Sequence, residues 1–192
     1  MKKVGLFFGT FNPIHRGHLV IAEYFSSQEY LDELWLVITP HSPFKKQKDL
    51  IGNHHRLAMV ELAIANNPKL KACDEEFDLP TPNYSIDTLL HLKTKYPEIQ
   101  FTLILGQDNI AYFDQWKDYQ KILDEFEIYV YPRSQSNSPS KKTLNHPNLK
   151  FVEASLLDIS STEVRKALVK DYDLDALLPT EVLVYIRKFK CY

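Results

Sequence analysis

The sequence has little cysteine and no long apolar run. Its two cysteines, Cys73 and Cys191, lie far apart and form no C-x-x-C pair, so neither a disulfide framework nor a thiolate zinc site is indicated. No stretch approaches the roughly 20 apolar residues of a transmembrane helix. Residues 1–8 resemble the start of a signal peptide, but Gly9 and Pro13 interrupt the apolar run and no cleavage-type ending follows. We therefore expect a cytoplasmic protein with no membrane partner.

An excess of either charge is also missing. Lys and Arg number 23, Asp and Glu number 25, and the formal net charge is −2. This balance argues against broad nucleic-acid binding, which needs a basic face. Local basic pairs at residues 45–46, 141–142 and 165–166 suit a small phosphorylated ligand. At 192 residues the chain is long enough to bury a core, and we expect a single domain over residues 1–192.

The most informative stretch is residues 4–19, VGLFFGTFNPIHRGHL. Its apolar start has the length of a buried strand, which Gly9 ends, and Pro13 prevents a helix from beginning earlier. After Gly17, apolar residues recur every three positions, as they do on one buried face of a helix. The stretch therefore predicts a strand, a tight loop and a helix.

Two histidines, His15 and His18, stand where this helix begins. A helix N-terminus attracts phosphate, because its N–H groups are unpaired and carry partial positive charge. Residues three apart share a helix face, so both imidazoles are placed to donate hydrogen bonds to phosphoryl oxygens. Together with His54 and His55 they match no standard zinc spacing, and we expect no protein metal site.

Alternating apolar and amphipathic segments fill the rest of the chain. Strands are predicted at residues 33–39, 70–73, 100–105, 126–131 and 149–152, with helices at 53–66, 85–96, 161 onward and 180–189. The pattern indicates an α/β fold with a Rossmann-like, doubly wound, mainly parallel sheet of five to six strands and C-terminal helices. A nucleotide should lie at the switch point of the sheet, beyond the carboxyl ends of strands one and four. Asn53 and Ser85 are expected N-caps, Arg56 is expected at the surface, and residues 74–78 are expected to form a solvated acidic loop.

Several motifs resemble one enzyme family. Residues 9–18, GTFNPIHRGH, resemble the G-[TS]-F-D-P-x-H-x-G-H signature of the HxGH nucleotidylyltransferases, with Asn12 in place of the usual Asp. Residues 159–165, ISSTEVR, are similar to the second signature of the adenylyltransferases in that family. The G-x-D…W pattern of residues 106–116 and the S-x-D-T-L of residues 85–89 are similar to elements of bacterial nicotinate-nucleotide adenylyltransferases. The resemblance extends in order from residue 4 to residue 185.

The resemblance implies a set of site residues. Those implied for catalysis are His15, His18, Lys45 and Arg165. Those implied for ATP binding are Gly9, Thr10, Phe11, His18, Gly106, Asp108, Ser161, Thr162 and Arg165. Those implied for the nicotinate nucleotide are Asn12, Lys45, Tyr84, Ser85, Thr88, Tyr112, Trp116 and Arg133. Magnesium is expected to arrive with ATP rather than in a protein cage.

The implied reaction is adenylyl transfer from ATP to nicotinate mononucleotide, which gives deamido-NAD and pyrophosphate in NAD biosynthesis. Phosphopantetheine or nicotinamide mononucleotide is the acceptor in related enzymes and stays an alternative. A non-catalytic nucleotide sensor on the same fold is the rival from another class. The sequence is compatible with a homo-oligomer and with movement of the loop at residues 134–147 on substrate binding, but specifies neither.

Overall fold

One parallel sheet organises the chain. In the computed structural model the described residues are 1–43, 50–132, 146–154, 157, 159–170 and 174–192. The strands are β1 (Lys2–Gly9), β2 (Glu33–Ile38), β3 (Leu70–Cys73), β4 (Ile99–Gly106), β5 (Glu127–Tyr131) and β6 (Leu149–Phe151). Their order in the sheet is β3-β2-β1-β4-β5-β6, and every neighbouring pair is parallel. The predicted Rossmann-like, doubly wound sheet is confirmed, with β1 and β4 adjacent at the switch point.

Helices connect the strands. They are α1 (Arg16–Ser26), α2 (Asn53–Ile64), α3 (Ser85–Lys95), α4 (Gln107–Ile110), α5 (Tyr119–Glu125), α6 (Ser161–Lys170) and α7 (Thr180–Phe189). Two 3₁₀ turns occur at Glu75–Asp78 and Phe113–Gln115. No helix in the described ranges has the length and apolar character needed to span a membrane.

The sheet separates two apolar layers, because successive strand residues point to opposite faces. In β2, Leu34, Leu36 and Ile38 belong to one layer, whereas Trp35 and Val37 belong to the other. The first layer is completed by buried residues of α1, α2, α6 and α7, and the second by those of α3 and α5. Helices on both faces leave the carboxyl ends of the strands as the open edge of the fold.

Two expected helix caps are displaced by one residue. Asn53 and Ser85 are already helical, and the N-cap positions fall on Gly52 and Tyr84. The side chain of Asn53 is used otherwise, since its Oδ1 accepts a hydrogen bond of 2.6 Å from Nη2 of Arg56. The capping assignment was therefore wrong at both helices, although both helices begin where predicted.

Arg56 is not at the surface, contrary to the prediction, but fully buried. Its Nη1 donates to the carbonyl oxygens of Thr10 at 2.6 Å and Thr39 at 2.8 Å, and its Nε donates to that of Ile51 at 3.2 Å. Burial lowers the pKa of the guanidinium below its ordinary value. These bonds join the segments that follow β1 and β2, so Arg56 fixes the open edge of the sheet from within.

Candidate active site

Gly9 and Phe11 shape the loop between β1 and α1. Phe11 has a φ of 45°, in the left-handed region, and its buried ring lies against the Gly9 backbone. A Cβ on Gly9 would stand 2.8 Å from Cζ of Phe11, which explains why glycine is needed there. The Phe11 ring therefore serves the core, while Gly9 and Thr10 remain at the surface of a cleft.

His15 and His18 form a stacked pair at the start of α1. Their ring centroids are 3.7 Å apart with an interplanar angle of 25°. The backbone N–H of His15 donates to Nδ1 of His18 at 3.3 Å, so in a neutral His18 ring the proton is on Nε2. His15 is buried, whereas His18 is half-buried. The arrangement makes Nε2 of His18 a directed hydrogen-bond donor.

The second signature packs against the first. Ser160 and Glu163 form a capping box before α6: Glu163 Oε2 accepts from the Ser160 backbone at 2.9 Å, and Ser160 Oγ accepts from the Glu163 backbone at 3.2 Å. Oγ of Ser161 then donates to the carbonyl oxygen of Pro13 at 3.1 Å. Nη1 of Arg165 donates to the carbonyl oxygen of Asn12 at 2.8 Å. The N-terminus of α6 is thereby held beside the loop that leads into α1.

A cleft opens at the carboxyl ends of β1, β2, β4 and β5. Six of its lining residues are among those implied by the resemblance: Gly9, Thr10, Tyr84, Ser85, Gly106 and Trp116. Phe7 also lines the cleft, and its ring centroid is 6.1 Å from that of His18. The cleft and the histidine pair are therefore adjacent at the edge where the fold predicts a nucleotide.

An aromatic wall closes one side of the cleft. Trp116 lines it and is backed by buried Phe113, with ring centroids 5.1 Å apart. The segment after Trp116 contacts the start of α3. Nζ of Lys117 lies 5.0 Å from the Tyr84 ring centroid and 2.8 Å from Oδ2 of Asp87. Tyr84 and Ser85 stand where α3 begins, so the wall adjoins a helix N-terminus.

Not every implied residue faces the cleft. Tyr112 is 52% exposed and lies outside its lining, and Asp108 stands beside Gly106 while Asn109 lines the cleft. Thr88 is fully buried beneath it. Thr162 accepts a hydrogen bond of 3.3 Å from Nη2 of Arg165. Lys45, Arg133 and residues 134–145 lie outside the described residues.

A polar network that was not predicted adjoins the cleft, where Glu76 and Asn83 are lining residues. Glu76 is buried rather than in a solvated loop, and Oγ1 of Thr88 donates to its Oε1 at 2.6 Å. Nδ2 of Asn83 donates to the Glu76 carbonyl oxygen at 3.1 Å, and Oδ1 of Asn83 accepts from the His41 backbone at 3.0 Å. The network holds the segment after β2 against the start of α3. The acidic run at residues 74–78 contains nothing that distinguishes Glu76 from its neighbours, because its partner Thr88 lies in another element, so the burial of Glu76 could not be predicted.

Replacing Glu76 by Gln tests the buried carboxyl through the pH dependence of stability. Burial raises its pKa above the ordinary 4.5, and hydrogen bonds from Thr88 and Thr39 offset this only in part. The folded chain thus holds the proton more tightly than the unfolded chain, and native stability falls as the pH rises from the unfolded toward the folded pKa. Glu76→Gln has no such proton to lose. We expect its melting temperature to gain on the native value as the pH rises above the ordinary pKa of a glutamate, about 4.

Glu75→Gln is the matched control, with the opposite sign. Burial alone would raise the pKa of Glu75, but hydrogen bonds from Lys95, His91 and Tyr96 outweigh it and keep that pKa low. Its contribution is present above the ordinary pKa and is lost as the pH falls, so Glu75→Gln should lose ground to the native chain as the pH rises. If the difference in melting temperature between each variant and the native chain stayed the same at every pH, the assignment of both carboxyl groups would be wrong.

Comparison with known proteins agrees with this geometry. Residues 6–167 match the model of the family described as cytidylyltransferase-like. The chain belongs to that family. It is 44% identical over 184 residues to a probable nicotinate-nucleotide adenylyltransferase of Flavobacterium psychrophilum, with 96% of this chain and 95% of the relative covered. It is 45% identical over 191 residues to the same kind of protein from Christiangramia forsetii, with 100% and 98% covered.

A solved structure of an adenylyltransferase shares the fold. The nicotinic acid mononucleotide adenylyltransferase of Plasmodium falciparum, complexed with NaAD, superposes with a TM-score of 0.82 at 24% identity, covering 99% of this chain and 97% of that one. The two relatives with 44% and 45% identity confirm the predicted place of this chain among the nicotinate-nucleotide adenylyltransferases.

Proposed function

We propose that the chain transfers the adenylyl group of ATP to nicotinate mononucleotide, giving deamido-NAD and pyrophosphate in NAD biosynthesis. Relatives with 44% and 45% identity over nearly the whole chain are named for this activity. The observation that carries the proposal is the contact of Arg165 with Asn12, because it joins two signatures 153 residues apart beside the cleft. One site then holds an ATP-binding half and an acceptor-binding half.

The reaction requires no protein nucleophile. A phosphate oxygen of the acceptor attacks the α-phosphorus of ATP, a new P–O bond forms, and the bond to pyrophosphate breaks with its electron pair leaving on pyrophosphate. Holding both reactants in line supplies about 7–11 kcal/mol, and one directed donor supplies about 2.7–4 kcal/mol. Nε2 of His18 is that donor in our proposal, because the His15 backbone fixes the tautomer and the ring orientation.

The phosphates of ATP are proposed to meet three positive groups. The N-terminus of α1 adjoins the histidine pair, and the N-terminus of α6 carries Ser161 and Thr162. Arg165 stands one turn along α6 and adds a full charge. Helix N-termini and guanidinium groups both stabilise phosphate oxygens, which become more charged on the leaving pyrophosphate. Lys45 is also proposed to stabilise the charge on these phosphate oxygens, and this role rests on the resemblance alone.

The acceptor is proposed to lie along the aromatic wall. Trp116 offers a face for the electron-poor pyridine ring, and the start of α3 at Tyr84 and Ser85 offers N–H groups to the carboxylate. Nicotinate differs from nicotinamide by this negative charge, so a helix N-terminus favours the acid. Arg133 and Tyr112 remain predictions for this half of the site.

Magnesium is proposed to enter with ATP. Across the described ranges, no group of three or more His, Cys, Asp or Glu side chains is placed to hold a metal ion. Mg²⁺ ordinarily keeps several waters and binds through substrate phosphates, which is the mode that we propose here. When bound there, magnesium would neutralise charge on the leaving pyrophosphate. A single domain over residues 1–192 and a cytoplasmic location also stay predictions.

A pyrophosphate-release assay separates this enzyme from a nucleotide sensor. We expect release that needs ATP, magnesium and nicotinate mononucleotide together, with one deamido-NAD formed for each pyrophosphate. Omission of the acceptor is the control for simple ATP hydrolysis. A protein that binds ATP and nicotinate mononucleotide by calorimetry but forms no dinucleotide would contradict the proposal and favour the sensor.

A further inference from the structure

The segment after α7 turns back toward the loop between β1 and α1. Lys190 ends α7 in the left-handed conformation, with φ and ψ both 50°. The backbone N–H of Cys191 donates to the carbonyl oxygen of Ile186 at 3.3 Å. Such a C-cap closes the helix and reverses the direction of the chain. Tyr192 is thereby brought to the Asn12 side of the fold.

Tyr192 makes a specific contact there. Its hydroxyl donates to Oδ1 of Asn12 at 2.8 Å, across 180 residues of sequence. The same Oδ1 accepts from the backbone N–H of Ile51 at 3.3 Å, so two donors fix the orientation of the Asn12 amide. The Tyr192 hydroxyl is protonated at neutral pH, as in any tyrosine, and burial raises its pKa further, so it is the donor in this bond.

Asn12 links this contact to the reacting groups. Its side chain is held by Tyr192 and Ile51, while its carbonyl oxygen accepts from Nη1 of Arg165. Tyr192 and Arg165 also line the same shallow surface depression, which includes Ile51. Fixing Asn12 thus fixes the acceptor that orients the Arg165 guanidinium.

We propose that Tyr192 is a positioning residue for adenylyl transfer, which acts through Asn12 to hold Arg165 toward the phosphates of ATP. The inference rests on the proposed function, since Arg165 matters here only if phosphate is bound. It assigns a role to a hydroxyl that lies outside both signatures and outside the cleft. Asn12 suits this role because its amide oxygen accepts from a tyrosine hydroxyl without bringing a second charge to Arg165.

Tyr192→Phe tests the proposal, because it removes the hydroxyl and keeps the ring. We expect kcat/KM for ATP to fall about three- to tenfold, the range for one net hydrogen bond, with KM for nicotinate mononucleotide changed less. Tyr185→Phe is the matched control. It removes another tyrosine hydroxyl near the end of the chain, one that bonds Nδ1 of His55 at 2.9 Å on α2. That variant should keep native kinetics, and melting curves show whether each variant is folded.

A double-mutant cycle separates positioning from general stabilisation. If Tyr192 acts through Asn12, then Tyr192→Phe should cause no further loss of kcat/KM for ATP in an Asn12→Ala background. Losses that multiply, or native kinetics in folded Tyr192→Phe, would overturn the inference. The native chain is measured in the same assay and by ATP calorimetry. A native chain without turnover would count against the proposed function instead, and the calorimetric ATP affinity of Tyr192→Phe would still test the contact.

Discussion

Replacing His18 by Ala is expected to lower kcat by about 10²-fold while the fold survives. The substitution removes the donor at Nε2, and one such transition-state donor is worth about 2.7–4 kcal/mol, of which the lower end corresponds to this loss. The backbone N–H of His15 also loses its acceptor, the Nδ1 of His18, at the helix start. His15 is buried, but the removed ring of His18 is half-buried, so water can enter the space that the ring leaves and replace the lost acceptor. Steady-state kinetics with saturating ATP and nicotinate mononucleotide measure the effect.

His91→Ala is the matched control for His18. His91 is another helical histidine, on α3, and its Nε2 lies 3.0 Å from Oε2 of Glu75 outside the cleft. We expect its kcat to stay within about twofold of native, since surface changes away from a site have small effects. A folded His18→Ala with native kcat would show that the donor role is wrong, whatever the fold of the site.

Replacing Trp116 by Ala should weaken the pyridine nucleotide far more than ATP. Stacking on an aromatic side chain contributes about 1–3 kcal/mol per ring, which corresponds to roughly five- to 150-fold in KM for nicotinate mononucleotide. ATP is proposed to bind by the helix N-termini and Arg165, and its KM should change little. Trp116→Phe keeps an aromatic face and should restore part of the loss.

Tryptophan fluorescence gives an independent measure of the same contact. The chain has two tryptophans: Trp35 is buried on β2, whereas Trp116 lines the cleft. Nicotinate mononucleotide should therefore quench the tryptophan fluorescence of the native protein, and this quenching should disappear in Trp116→Ala. Equal losses of affinity for ATP and for the pyridine nucleotide would contradict the stacking assignment.

The elements of the fold could be predicted because their signals are local. The apolar run before Gly9 and the three-residue spacing after Gly17 each lie within one element, and the structure confirms β1 and α1 there. Alternating strands and helices then leave few topologies, because crossover connections between parallel strands are right-handed. The doubly wound class was predicted from this alternation, whereas the full strand order is known from the structure.

The contacts that organise the site could not be predicted from local patterns. Arg56 lies in the first turn of an amphipathic helix, where an arginine is ordinarily exposed. Its burial depends on hydrogen bonds to the carbonyl oxygens of Thr10 and Thr39, which lie in other segments. Likewise, Glu76 accepts a hydrogen bond from Thr88, and Tyr192 donates one to Asn12, and each partner is distant in sequence. Such partners are adjacent only after the sheet has formed, so neither spacing nor composition indicates them.

The most direct test of the account compares acceptors in one pyrophosphate-release assay. ATP and magnesium are held constant, and nicotinate mononucleotide, nicotinamide mononucleotide and phosphopantetheine are supplied in parallel. We expect rapid release with nicotinate mononucleotide and a much lower kcat/KM for its amide, because the N-terminus of α3 favours the carboxylate. Turnover with phosphopantetheine in place of the nicotinate acceptor, or no turnover with any of the three, would contradict it.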